Sequence, residues 1–528
     1  MASSVDASTR PERTRHTTAS TTRDLLLALP FLALLYVQLA HHVMWRDELN
    51  ALAIAWASPT IPSLFWHIHH EGHPWLWYMI LWIPSRFTQS LLVLKVVQGI
   101  VSTAIILFVT LRSPFRTWEK ALVLAGYFFV FEYTVLARMY GLMLLLFVVY
   151  LWWRTTRPSK PVVAAALLGL MSSTDNIGMI LAGALIIEYA YTAYLQRKTV
   201  PLFSRRQALL AALTYAAIAG FAVWSAKPAS DISWRTTGKP FAHATDMSHL
   251  YDAFLRYTVM PFFPVQSPRS HLFWNPTPHR AGLAYAGVVV VVLAMLYLSF
   301  RYRHGLLLMI GVTIVAGTAL SHFIYAGSER HYGVVFLAFL AGAWIVRAES
   351  LSEHLAWPIY TLLAISALSS VWAVVGSWER PFSCDKATAD WIVQNHLESM
   401  PLVGDQDTSV MGVAQYLHRS MYMIECSCED TYLLYTTRRD NYKEAWEPRR
   451  VLEAAHYYHD EPILFVKVRK MQPEERQQLQ TEGFQIEPLA EFTGAEELYE
   501  NFYLYRLTLG HSPEHTSAGS AGTPTPTF

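Results

Sequence analysis

Charge is scarce in this chain. Only 15% of its 528 residues are Asp, Glu, Lys or Arg, where a soluble domain carries about 25%. Hydrophobic residues make up 53% and mean hydropathy is +0.23, so much of the chain faces lipid. Cysteine is nearly absent. Cys384, Cys426 and Cys428 are too few for a disulfide framework, and an odd number cannot all pair. Cys426 and Cys428 have the spacing CxC rather than the CxxC of a zinc knuckle. There is no Gly-rich phosphate loop, GxSxG elbow or HExxH, which removes ATPase, serine hydrolase and zincin readings. A net charge of +1 without a basic tract gives no footing for nucleic acid.

What is present is a series of apolar runs. Residues 1–23, rich in Ser, Thr and Arg, read as a disordered cytoplasmic tail. The run 25–40 follows four arginines. Gln38 sits at minus three from Ala40, where a signal peptidase wants a small residue, so an uncleaved anchor is expected. Further runs lie at about 74–88, 90–111, 118–136, 139–153, 161–174, 177–196, 207–226, 281–300, 304–325, 330–347 and 356–377. If every run crossed the bilayer, the basic loops around Arg112–Lys120, Arg154–Lys160 and Arg197–Arg206 would all fall outside, against the positive-inside rule. If 74–88 instead dips in and returns, or lies along the interface, all three move inside, with Arg301, Arg303 and Arg347.

The expected fold is therefore a mainly α, polytopic membrane protein of about eleven spans plus one re-entrant or interfacial helix. A transmembrane domain over 24–378 carries outer loops at 44–73 and 227–280. From 379 to 510 the composition turns soluble. Alternating patterns there (helices 385–399, 408–418, 449–459 and 473–481; strands 401–404, 420–425, 462–468, 484–490 and 502–508) indicate an external α/β domain. Residues 511–528 are Ser/Gly/Thr/Pro-rich and read as a disordered tail.

The chemistry gathers at the outer face. Charge at membrane depth costs about 2.5–3.5 kcal/mol per group on insertion scales, so the adjacent Asp47 and Glu48, just past the first span, suggest a site. A carboxylate can deprotonate an acceptor hydroxyl as a phosphate leaving group departs from a sugar. Neighbouring side chains on a helix diverge by about 100°, so one would be the base and the other a positioner or metal ligand. Acidic residues also favour a first helical turn for dipole reasons alone. Arg138, in LARMYGL, has no acidic neighbour in sequence and suits a phosphate through its forked donors, or snorkels. Glu329-Arg330-His331-Tyr332 opens a late run as a second phosphate or acceptor contact, or as an internal ion pair. His67, His69, His70, Glu71 and His73 have the chemistry of zinc or manganese ligands but match no zinc spacing. The residues thus admit a divalent metal without requiring a cofactor. Asp405 and Asp407 form a DxD that reads as turn and N-cap residues, not as a nucleotide-sugar site.

Taken together, these motifs resemble the GT-C superfamily of polytopic glycosyltransferases, especially the branch holding protein O-mannosyltransferases, the lipid A aminoarabinose transferase and related lipopolysaccharide-core transferases. Trp45 to Trp56 (WRDELNALAIAW) is similar to that branch's acidic first outer loop. Gly72 to Ile80 (GHPWLWYMI) is similar to its His-Pro element, with Trp75 where a second proline is usual. Arg138-Met139-Tyr140 and Arg330-His331-Tyr332 are similar to its later outer motifs. The resemblance implies inverting transfer of a hexosyl or pentosyl group from a polyprenyl-phosphate sugar donor to a glycan, lipid or protein acceptor. Asp47 would be the base with Glu48 beside it. Arg138 would contact the donor phosphate, and Tyr140, His73, Arg330, His331 and Tyr332 would add substrate contacts. The setting would be the plasma (inner) membrane, with the N-terminus cytoplasmic and the C-terminal domain external or periplasmic, bordering the acceptor side without chemistry of its own. A transporter or flippase, or a non-catalytic glycan-assembly protein, are the competing readings. Against transport, the ionisable groups gather at one face rather than at a midplane.

The topology is directly testable. Single cysteines placed in 112–117, 154–160 and 197–206 are expected to label only from the cytoplasmic side, and those in 227–280 and 381–528 only from outside. External labelling of Arg157→Cys would overturn the orientation, and with it the outer position of Arg138.

Overall fold

The structure, a computed structural model, describes residues 18–198, 201–233, 240–264, 274, 282–325, 327–350, 353–441 and 448–510. The tail segments 1–17 and 511–528, and Trp234, Arg235 and Lys239 of the loop expected to lie outside, fall beyond the described residues.

The membrane part is built from α1 (Thr18–His41), α2 (Arg46–Ala57), α3 (Ile61–Ile68), α4 (Leu76–Ser85), α5 (Leu92–Arg112), α6 (Thr117–Leu124), α7 (Met139–Thr156) and α8 (Pro161–Ser172). It continues through α9 (Asn176–Gln196), α10 (Arg205–Ser225), α11 (Met247–Val259), α12 (Gly282–Phe300), α13 (His304–Phe323), α14 (Glu329–Glu349) and α15 (Trp357–Glu379). Among the described residues eight helices are long and apolar enough to cross a membrane: α1, α5, α7, α9, α10, α13, α14 and α15. Three further apolar helices, α4, α8 and Ala286–Phe300 of α12, are shorter. The 10 residues of α4 rise about 15 Å, half of a hydrocarbon core, and the 12 of α8 only slightly more. The ends of α4 are tied to neighbours: Trp75 N donates to Ser225 Oγ (3.3 Å) and Trp82 Nε1 to Ser58 O (2.7 Å).

The bundle is organised around α14, 89% of whose apolar window is buried, against 11% for α10 at the lipid edge. Close packing on α14 needs a missing side chain: a Cβ at Gly333 would lie 2.3 Å from both the Phe128 ring and the Tyr133 hydroxyl.

The apolar run 118–136 differs from the single helix expected there. It is α6, a break at Ala125–Tyr127, and a five-residue π turn, Phe128–Glu132. Ser366 on α15 explains how the break is tolerated, because its Oγ accepts from Tyr127 N (3.1 Å). Glu132, fully buried, takes Tyr127 OH (2.8 Å) and Trp274 Nε1 (3.1 Å). Irregular backbone at such depth survives only where protein satisfies it.

The C-terminal domain carries one sheet of order β3-β2-β1-β4-β6-β5, from β1 (Leu402–Asp405), β2 (Met421–Met423), β3 (Cys428–Asp430), β4 (Ile463–Lys467), β5 (Phe484–Phe492) and β6 (Phe502–Leu509). The pairs β1–β2 and β1–β4 are parallel and the others antiparallel. Helices α16 (Asp385–Gln394), α17 (Asp407–Tyr416), α18 (Pro448–Tyr457) and α19 (Pro473–Thr481) accompany it. Leu402, Leu464 and Val466 pack in one apolar cluster with α17, while Val403, Ile463 and Phe465 pack in another with α18. Burial of both sheet faces explains the continuous apolar strands. Cys426 and Cys428 are joined as a disulfide next to β3, and Cys384 is free and buried.

Asp405 and Asp407 are bound within this domain. Asp405 accepts from Lys467 Nζ (2.7 Å), and Asp407, without exposed surface, pairs with Arg439. Burial pushes the Asp407 carboxyl up to about 6, against the pull of Arg439. Removing one member of a buried pair strands the other, at about 3–5 kcal/mol. Arg439→Met is therefore expected to lower the melting temperature of the domain markedly at pH 7. An unchanged melting curve would mean the pair is not structural.

Candidate active site

The site begins where α1 ends. Residues 42–45 run extended, with Trp45 at φ −112° as N-cap of α2. Three residues on, Glu48 turns back into the protein. Its carboxylate has no exposed surface and accepts from Trp45 N (3.1 Å), Ala137 N (2.5 Å) and His42 Nε2 (2.8 Å). Those bonds cap α2 and fasten it to the loop that precedes α7, the loop ending in Arg138.

Asp47, one residue earlier, is rotated away from that anchor, and its side chain stays 23% exposed. Arg330 Nη2 donates to Asp47 Oδ2 at 3.0 Å, and Arg138 Nη2 lies 3.9 Å from the same oxygen. Arg138 Nη1 also donates to the Asp47 carbonyl. The Arg330 guanidinium sits between two indoles, 5.2 Å from the Trp45 ring centroid and 5.6 Å from that of Trp274, which fixes its plane. Burial alone would raise the Asp47 carboxyl, but Arg138, Arg330 and Arg46, helped by His73, outweigh it and hold Asp47 below the usual carboxylate range. It is ionised at neutral pH.

The two arginines are not saturated. Arg138 Nε and Arg330 Nε and Nη1 are buried with no hydrogen-bond partner among the described residues. Four helices also begin here: α2 at Arg46, α7 after Arg138, α9 after Asp175 and α14 at Glu329. Their N-terminal N–H groups add positive partial charge. Such an arrangement has the chemistry to hold an anion beside an ionised carboxylate.

Other expected residues surround this core. His73 Nδ1 meets Asp175 Oδ2 at 3.0 Å, and Asp175 caps α9 through Ile177 N (3.0 Å). Burial would raise the Asp175 carboxyl, but its bond and charge contact with His73 lead the effects that hold it low. His331 Nδ1 accepts from Ser328 N (2.9 Å), so the neutral ring carries its proton on Nε2, which faces Tyr140 OH at 3.3 Å. Tyr332 points elsewhere, its hydroxyl accepting from Arg256 Nη1 (3.1 Å) on α11.

The histidine cluster disperses. His67 bonds Ser58 Oγ (2.7 Å), His69 the Lys227 carbonyl (2.7 Å) and His70 Asp231 (2.9 Å). Among the described residues no group of three or more His, Cys, Asp or Glu could hold a metal ion. Glu71 goes a different way from its neighbours. The left-handed turn at Gly72 (φ +71°) lets Glu71 take bonds from Asn50 Nδ2 (3.3 Å) and Tyr78 OH (3.1 Å) while His73 reaches Asp175. Burial pushes Glu71 up to about 8, against Arg138 and the Tyr78 bond, so it is neutral at pH 7.

Two residues of the site were not singled out from sequence: Asn50, and Glu71 as a carboxyl apart from the histidines. Asn50 had a readable signal, since it stands three residues after Asp47 and so on the same helix face.

No family model matches the chain, and no curated protein does. Among solved structures it is similar to ArnT from Cupriavidus metallidurans bound to undecaprenyl phosphate, with 14% identity and a TM-score of 0.49, over 91% of this chain and 97% of that one. It is also similar to ArnT from the same organism in the apo state, with 13% identity and a TM-score of 0.44, over 93% and 98%. At such identities and scores, assignment of function rests on the residues of the site.

The different settings of Asp47 and Glu48 predict different phenotypes. Glu48→Ala leaves buried N–H groups unmet, at about 1–3 kcal/mol each. It should lower the melting temperature and speed amide exchange over 133–138. Asp47→Asn should leave exchange over 133–138 unchanged. A Glu48→Ala protein with wild-type stability and exchange would contradict the anchoring role.

Proposed function

We propose that this protein is a GT-C-type membrane glycosyltransferase that moves a sugar from a polyprenyl-phosphate carrier to an acceptor hydroxyl at the outer membrane face. One observation carries the reading: an ionised, partly exposed carboxylate held against two buried arginines whose remaining N–H groups lack partners among the described residues.

The chemistry follows from that arrangement. The donor lipid arrives laterally in the bilayer, and its phosphate is received by Arg138 and Arg330 where the helix N-termini meet. Asp47 accepts the proton of the acceptor hydroxyl as its oxygen bonds to the anomeric carbon. The bond from that carbon to the phosphate oxygen breaks, and the polyprenyl phosphate leaves on the arginines that bound it. A single displacement of this kind inverts the anomeric configuration. Glu48 is the positioning residue that sets the register of α2 against Arg138. His73 and Asp175, with His331 and Tyr140, border the donor. A donor delivered through the lipid accounts for the missing nucleotide site, and an outer orientation accounts for basic loops on the opposite side.

Cells lacking the protein are expected to lose one sugar residue from an envelope glycan by mass spectrometry. Asp47→Asn should fail to restore it although the protein accumulates normally, because positioned bases contribute about 10²–10⁴-fold. Arg138→Lys should restore it partly, since the charge stays and the fork is lost. Because Asp47 is held below the ordinary carboxylate range, transfer should persist as pH falls through that range and decline only once Asp47 takes its proton below it. Unchanged glycans in cells lacking the protein, or full restoration by Asp47→Asn, would remove this reading.

A further inference from the structure

Glu132 is a buried carboxyl that the reaction does not use. It has no exposed surface and sits within the apolar stretch 118–136. An ionisable group in such a setting is costly, and its partner points to its role. Tyr127 OH (2.8 Å) and Trp274 Nε1 (3.1 Å) both donate to one of its oxygens, Oε2. The first bond is local to the π turn. The second reaches a residue 142 positions away. Trp274 is also held from another direction. Its backbone N donates to Glu496 Oε1 (2.7 Å), in the connection between β5 and β6. Glu496 N in turn donates to Pro381 O (2.9 Å), just beyond α15. Phe382 packs edge-on against the indole, with centroids 5.0 Å apart at 70°. Both nitrogens of Trp274 are thus bonded, to different parts of the protein, and its ring is backed by a third contact.

What this indole touches is Arg330. The Trp45 and Trp274 rings stand at 72° with centroids 5.4 Å apart. The Arg330 guanidinium carbon lies 5.2 Å from the first centroid and 5.6 Å from the second. The three separations are nearly equal, so the guanidinium occupies a corner formed by two indoles. A single indole would let it slide or pivot; a second one at 72° removes that freedom, and each attracts the cation through its ring quadrupole. The same turn also fixes the arginine's main chain, because Tyr133, next after Glu132, donates its hydroxyl to Arg330 O (2.7 Å). Glu132 acts on the side chain through Trp274, and Tyr133 acts on the backbone directly. π turns recur at functional sites, and holding Arg330 gives this one a task. Stacking on a sugar ring is a poor alternative, since Trp274 is only 4% exposed and Trp45 2%.

Resting on the transferase reading, in which Arg330 receives the donor phosphate, we propose that Trp274 and Glu132 are positioning residues for that arginine. Glu132 holds the Trp274 indole, and the indole, with Trp45, holds the guanidinium in the plane that serves both Asp47 and the phosphate. Neither residue touches the reacting atoms. Through Glu496 the C-terminal domain becomes part of the same support.

The test measures binding of undecaprenyl phosphate to the full-length protein in bilayers, with thermal melting alongside. Trp274→Leu removes one wall of the corner and should weaken binding about 3–30-fold. Glu132→Leu should weaken it in the same direction, while Glu132→Gln, which keeps an acceptor oxygen for the indole, should recover most of that loss. The decisive arm is a double-mutant cycle. With Arg330→Gln there is no cation left to orient, so adding Trp274→Leu should cost no further affinity. If Trp274→Leu fails to accumulate, Trp274→Phe, which keeps a ring but loses the Nε1 bond, makes the same comparison with a smaller loss. A Trp274 that only braces the fold would lower the melting temperature and cost the same factor in either background, and that result overturns the proposal. Wild-type binding by Trp274→Leu overturns it too, and equal losses in Glu132→Gln and Glu132→Leu overturn the part assigned to Glu132. If Arg330→Gln alone binds undecaprenyl phosphate like the wild type, the donor-phosphate reading itself fails and takes this proposal with it, a result distinct from the others.

Discussion

Glu48 accepts three hydrogen bonds in a place with no exposed surface, and the rest of the site depends on them. A buried carboxylate without its donors costs several kcal/mol, so the three N–H groups and the carboxylate fix one another. The bond to Trp45 N starts α2, the bond to Ala137 N sets the loop before α7, and His42 ties both to the end of α1. Once these are set, Asp47 has no choice but to face the other way, toward Arg138 and Arg330. The adjacency of the two acidic residues is the device: one is consumed as an anchor so that its neighbour is presented.

The pairing of charges elsewhere makes the site's imbalance meaningful. Lys120 meets Asp24 at 2.8 Å, Arg154 meets Glu188 at 3.3 Å and Arg347 meets Glu119 at 3.1 Å, all buried. Each of those cations has a carboxylate of its own, which is how a bundle tolerates charge at depth. Arg138 and Arg330, by contrast, share the single carboxylate of Asp47. Locking pairs and a receptive pair are thus separated by stoichiometry as well as by position. The C-terminal domain adds a second constraint, through Ser409, Glu497 and Glu500 on Arg46 and through the Leu433 backbone on Asn50.

Much of this was legible in the sequence because it is local. The divergence of Asp47 and Glu48 follows from helix geometry, and Arg138 and Arg330 stood out as arginines at the ends of apolar runs. The alternation after residue 381 gave the helices and most strands of the soluble domain; β3, three residues long, left too short a pattern to see. The break inside 118–136 was hidden because Ser366, more than two hundred residues away, satisfies it. The histidine cluster looked convergent only on paper, since residues adjacent in sequence point to different partners once Gly72 and the end of α3 turn the chain. The Asn50–Leu433 contact was invisible for the same reason in reverse: it joins residues 383 apart, and nothing in either neighbourhood announces the other.

The most direct test of the central claim is release of the carrier. Purified protein in bilayers would be given the polyprenyl-phosphate-linked sugars of its own cells and the envelope acceptor fraction, and free polyprenyl phosphate followed by mass spectrometry. The account predicts acceptor-dependent release by the wild type and release about 10²–10⁴-fold slower by Asp47→Asn, with equal carrier binding by the two proteins. Release at the wild-type rate by Asp47→Asn, or transfer that consumes a nucleotide sugar and leaves the lipid carrier intact, would contradict it.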